Sequence, residues 1–81
     1  MTIEQALANV LKRLRRERNL AQDDFALTVG LHRTYISQLE RGLKSPTLKT
    51  LQRVSDALGL SLVQLMEHLE KELENHDRKT D

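Results

Sequence analysis

Between Gln22 and Pro46 the chain sets two short apolar-periodic segments on either side of one glycine, Gly30. No other feature limits the fold as much. In the first segment Phe25, Ala26 and Val29 recur at helical spacing behind Asp23 and Asp24, acidic residues that suit the positive end of a helix dipole. In the second, Ile36 and Leu39 share one side, which leaves Arg33, Thr34, Tyr35, Ser37 and Gln38 for the other. Segments of this length and spacing read as short helices. Gly30 tolerates the left-handed backbone that a tight turn between steeply crossed helices requires. Ala26 is small, and suits the place where the two helices come close.

The remaining sequence follows the same rule. Apolar residues recur at three and four, and β-branched residues never alternate as they would in a strand. The spacing predicts helices over 3–18, 22–29, 33–41, 48–58 and 62–75. Thr2 with Gln5 and Ser61 with Gln64 form capping boxes, and Thr47 is placed to cap the fourth helix. The predicted inner stripe is Leu7, Val10, Leu11 and Leu14 in the first helix, with Ile3 at its edge, and Leu48, Leu51, Val54 and Leu58 in the fourth. The fold class is therefore all-α: one compact five-helix domain over 1–75, with a polar tail at 76–81 expected to be flexible.

Composition removes several function classes. The chain has 81 residues and no cysteine, so there is no disulfide framework and no thiolate metal site. His32, His68 and His76 lie on separate segments, in no spacing that suits a metal or a Ser-His-acid arrangement. No cofactor, no metal and no catalytic group is expected, and the chain does not read as an enzyme. No apolar run approaches the ~20 residues of a membrane span, so no membrane association is expected and the cytoplasm is the expected location. One Phe and one Tyr are too few for a base-stacking single-strand binder. Net charge is +1, but it is split: residues 1–49 carry +4 and residues 50–81 carry −3. Such asymmetry orients a protein on phosphate and keeps its other end away.

The strings Gln22-Asp23-Asp24-Phe25-Ala26, Gly30-Leu31-His32-Arg33-Thr34-Tyr35-Ile36-Ser37-Gln38-Leu39-Glu40-Arg41-Gly42 and Ser45-Pro46-Thr47-Leu48 resemble the helix-turn-helix of the Cro/phage-repressor (XRE-like) family. The resemblance spans roughly 11–65. It implies a lambda-repressor-like domain that binds double-stranded DNA and regulates transcription, with the third helix in the major groove. Within the family, the chain looks most like the controller proteins of restriction–modification systems.

By the same resemblance, Arg33, Thr34 and Gln38 match base-reading positions, with Ser37 and His32 as additions. Their chemistry fits: Arg can pair with guanine O6/N7, Gln with adenine N6/N7, and Thr with a thymine methyl or a base edge. Gln22 matches a phosphate-binding position. Tyr35, Arg41, Lys44, Ser45, Thr47 and Lys49 surround the same surface, where the open amides of the fourth helix can also hold phosphate. Arg15 and Glu40 match an ion pair that links the first and third helices, whereas Arg13, Arg16 and Arg18 are expected on a solvated or phosphate-steering face. The chain departs from the family at Ala21, where a capping hydroxyl is usual.

The fifth helix carries Leu62, Leu65, Met66, Leu69 and Leu73 at helical spacing. Leu62 and Leu65 are expected to finish the core. Leu69 and Leu73 are expected to outrun it, and the whole stripe, Leu62, Leu65, Met66, Leu69 and Leu73, is the expected face toward a second copy, making a homodimer on a near-palindromic operator. The alternative is an antitoxin that uses this helix to hold a protein partner.

Overall fold

The computed structural model describes the backbone of residues 1–80 and the side chains of residues 1–76. Its helices are α1 (Ile3–Glu17), α2 (Gln22–Val29), α3 (Arg33–Glu40), α4 (Leu48–Ala57) and α5 (Leu62–Thr80). They close a ring of neighbours: α1 packs on α3, α3 on α2, α2 on α4, α4 on α5, and α5 back on α1. Phe25, Leu11, Ile36, Leu39, Leu65, Val10 and Val54 fill the centre and are fully buried. Each large apolar side chain so buried stabilises the fold by about 1.5–3 kcal/mol.

Local chemistry sets the boundaries. Thr2 Oγ1 accepts from the Gln5 amide and Gln5 Oε1 accepts from the Thr2 amide, each at 3.1 Å, which closes the α1 capping box. Ser61 and Gln64 close the second box at α5. Thr47 caps α4 by accepting from the Thr50 amide at 3.2 Å. Asn19 ends α1 in the left-handed region at φ 56°, a conformation its short polar side chain tolerates. Helix α5 continues to Thr80 rather than stopping at Asn75, because residues 76–80 contain neither Gly nor Pro. Of the expected flexible tail, Asp81 lies outside the described residues.

Four leucines, Leu48, Leu62, Leu65 and Leu69, are buried differently from expectation. Leu48 was placed in the core stripe of α4 but is 75% exposed. It occupies the first position of the helix, at the rim of the domain, where it lines a shallow surface groove with Leu62. Leu69 was expected to project beyond the domain, and Leu65 was included in the partner face. Both are buried in the monomer's own core. The reason is α1, which runs beside α5: Asn9 Nδ2 and Arg13 Nη1 donate to the Glu72 carboxylate at 3.2 and 3.0 Å, fastening the two helices about two turns past Leu65. Leu62, by contrast, is only half-buried and stands outside the core cluster.

Gly42 ends α3 at φ 74°. A Cβ built there would meet Gln5 Cγ at 3.2 Å and Gln5 Cα at 3.3 Å, so backbone of α1 stands where a side chain would go. A Cβ at Gly30 meets open space. Left-handed strain alone costs a non-glycine residue roughly 1–2 kcal/mol. Gly30→Ala is expected to lose about that amount in urea unfolding, and Gly42→Ala distinctly more. Equal losses at the two positions would show that the contact with Gln5 has no energetic weight.

Candidate nucleic-acid interface

Two helices and one turn build the surface. Gly30 takes φ 83°, and its amide and that of Leu31 both donate to the Ala26 carbonyl, at 2.9 and 3.0 Å. This closes the C-terminus of α2 and reverses the chain within two residues. His32 then takes an extended conformation and α3 begins. Ile36, Leu39 and Glu40 face inward and are buried. The 3.6-residue repeat therefore turns Thr34, Ser37, Gln38 and Arg41 to the opposite side, while Arg33 is exposed as the first residue of the helix, at the edge of that face. His32, Arg33, Thr34 and Arg41 are exposed, and Ser37 and Gln38 are half-buried.

A buried network fixes the pose of α3. Arg15 donates from Nε to Glu40 Oε2 at 2.7 Å and from Nη2 to Oε1 at 2.9 Å, a bidentate pair. Its Nη1 donates to the Leu20 carbonyl at 2.6 Å, and Gln22 Nε2 donates to Glu40 Oε1 at 3.1 Å. One carboxylate thus binds α1, the loop before α2, the start of α2 and the last turn of α3 into one unit. Among the described residues no buried side-chain polar atom lacks a partner.

The structure divides the sequence-predicted site residues by what they already touch. Among the described residues, the side chains of His32, Thr34, Ser37 and Gln38 make no hydrogen bond within the chain. They are left to face outward. His32 does not cap α3 with its side chain. Arg33 does have a partner: its Nε stands 3.0 Å from Asp23 Oδ1, with both side chains well exposed. Arg41, Lys44, Ser45 and Lys49 are exposed, and Tyr35 packs half-buried against the core. The Thr47 hydroxyl is tied up in the α4 cap and also donates to Thr50 Oγ1 at 3.1 Å, so its contribution at this surface is the backbone that follows it. Ala21 leaves the N-terminus of α2 without a side-chain cap, and the first amides there stay open.

The arginines of α1 behave differently from expectation. Arg13 is paired with Glu72, and Arg18 is structural: it donates to the carbonyls of Leu58 at 2.8 Å and Leu14 at 2.9 Å, strapping the end of α1 to the end of α4. Arg16 stays on an open face, which it shares with the exposed side of Arg13. The residue that sequence reasoning missed is Asp23. Read alone it is a helix-start acid, and only the crossing of α2 over α3 brings it to Arg33.

A helix-turn-helix family model matches residues 11–65. The chain is 39% identical over 71 residues to the control protein C.MunI of Mycoplasma sp, covering 86% of this chain and 96% of that protein. It is 39% identical over 66 residues to the control protein C.SmaI of Serratia marcescens, covering 82% and 79%. Among solved structures, the wild-type restriction–modification controller protein C.Esp1396I superposes with a TM-score of 0.85 at 34% identity, covering 94% of this chain and 99% of that one. A tetramer of that controller is also solved in complex with its natural 35 base-pair operator. The chain belongs to the XRE-type helix-turn-helix family of DNA-binding transcriptional regulators, the family of the restriction–modification control proteins and not one of enzymes.

Proposed function

We propose that this regulator acts as a homodimeric control protein of a restriction–modification system, reading a near-palindromic operator with α3. The observation that carries the reading is the outer face of α3, where Thr34, Ser37 and Gln38 have no partner within the chain and the helix beneath them is pinned by the Arg15–Glu40 pair. Arg33, Thr34 and Gln38 are assigned to base edges, with Ser37 and His32 beside them. Gln22, Tyr35, Arg41, Lys44, Ser45 and Lys49 are assigned to phosphates, together with the backbone after Thr47. Gln22 retains one amide hydrogen for this role beyond the bond to Glu40. Solved variants of C.Esp1396I carry substitutions at a consecutive arginine, threonine and tyrosine. The same three residue types in the same order, Arg33-Thr34-Tyr35, open α3 here.

The proposed dimer surface shifts from that read in the sequence. With Leu65 and Leu69 internal, the available apolar groups are Leu62, Val63 and Met66 of α5, which line one groove, and Leu48 beside Leu62. Val63 is 68% exposed. Leu73 is half-buried farther along α5. A domain this small gains stability from covering such a patch. A two-fold dimer would set the recognition helices about 34 Å apart, one turn of DNA. The named relatives are control proteins and transcriptional regulators, which favours this reading over that of an antitoxin holding a protein partner. The cytoplasm is the proposed location, since a regulator that binds an operator must reach DNA; among the described residues no helix is long and apolar enough to cross a membrane.

Arg33→Ala tests the assignment. Loss of one bidentate guanine contact is expected to reduce discrimination at one base of each half-site by about 1–3 kcal/mol while leaving the thermal midpoint unchanged. Fluorescence anisotropy on duplexes varied at single positions measures it. Uniform weakening across all sequences would instead make Arg33 a phosphate contact.

A further inference from the structure

We infer that Asp23 is a positioning residue for base reading: its charge holds the Arg33 guanidinium beside α2 and thereby sharpens the sequence preference of α3. The inference rests on the assignment of Arg33 to a base edge. Arg33 is the first residue of α3 and Asp23 lies in the first turn of α2, so the pair bridges the two halves of the helix-turn-helix. The contact runs from Nε to Oδ1 at 3.0 Å. The two groups meet as an ion pair without a hydrogen bond, on the Nε side of the guanidinium, which leaves the two terminal nitrogens, a planar fork that matches guanine O6/N7. An arginine is otherwise long and free to swing, and a phosphate oxygen would serve it as well as a base.

Asp23 opposes that swing in two ways. Its charge gives Arg33 a fixed alternative to the backbone phosphates. The same charge repels phosphate from the ground around Arg33. Both effects fall on non-specific binding more than on binding to a site with guanine in place. Nothing in the fold requires the pair, since both side chains stand in solvent, 66% and 70% exposed. Asp24, its neighbour, is exposed and has no ion-pair partner among the described residues.

The test is selection from a random duplex library at fixed salt with four proteins: wild type, Asp23→Asn, Arg33→Ala and the double variant. The readout is the enrichment ratio of each base at each position. Exposed ion pairs are worth a factor of about two to five. Asp23→Asn is expected to lower the preference at the Arg33 position by about that factor, to raise the recovery of unselected duplex, and to leave the melting temperature in place. In the Arg33→Ala background the same substitution is expected to leave every base ratio unchanged. An Asp23→Asn protein that binds all sequences tighter by one common factor would overturn the inference while leaving the Arg33 assignment standing. A full set of base ratios surviving in Arg33→Ala would overturn that assignment, and the role of Asp23 with it.

Discussion

Glu40→Ala is expected to cost about 3–5 kcal/mol of folding stability. The carboxylate is 3% exposed and accepts from Arg15 Nε, Arg15 Nη2 and Gln22 Nε2. Removing it strands the Arg15 guanidinium, itself 7% exposed, with only the Leu20 carbonyl as a partner. A domain of this size has roughly 4–12 kcal/mol in total. The variant should therefore melt at least about 12 °C lower, or fail to fold at the working temperature. The cost comes from the stranded charge and not from the value of the pair itself, which has a testable consequence. Replacing both partners by apolar groups, Arg15→Met with Glu40→Leu, should destabilise less than Glu40→Ala alone. Thermal and urea unfolding followed by circular dichroism measure both. A Glu40→Ala variant within about 1 kcal/mol of wild type would mean that water reaches the pair. The network would then not be what holds α3 in place.

Operator affinity is expected to fall about a thousandfold between 50 and 200 mM salt. Each protomer offers Arg41, Lys44 and Lys49 as exposed cations around the recognition surface. A dimer brings them to the duplex twice, and about six neutralised phosphates give a slope near −5 in log affinity against log salt. The net charge of +1 hides this, because the cations are gathered in the front of the chain and the acids in α5. Lys49→Gln removes one contact from each protomer and should flatten the slope by about 2, while leaving base preferences as they were. Titrations at four salt concentrations decide it. A slope shallower than about −2, or one that Lys49→Gln does not move, would remove these residues from the phosphate surface.

The elements were legible because their ends are marked by chemistry that acts locally. Thr2 with Gln5, Ser61 with Gln64, Thr47 and Gly30 each make the capping or turn contact that their spacing announces. The face of α3 was legible for a related reason: Ile36 and Leu39 fix which side is inward, and periodicity assigns the rest. What failed depended on distances between elements. Leu48 has the spacing of a core residue but sits at the exposed start of α4. Leu69 has the spacing of a partner residue, yet nothing in the sequence tells how far α1 runs beside α5. Arg18 looked like one more surface cation because its two acceptors are backbone carbonyls, which leave no trace in residue type. Asp23 and Arg33 meet only through the angle at which α2 and α3 cross. Arg15 and Glu40 were paired by family resemblance, and no local pattern in the chain would have joined them.

The most direct test of the central claim is selection of binding sites for the purified wild-type protein from random duplex DNA at near-physiological salt. The account predicts enrichment of a near-palindrome whose half-sites are centred about one helical turn apart, with guanine preferred at one position of each. Recovery of unrelated sequences, bound weakly and released by modest salt, would contradict it. The outer face of α3 would then not be a sequence-reading surface.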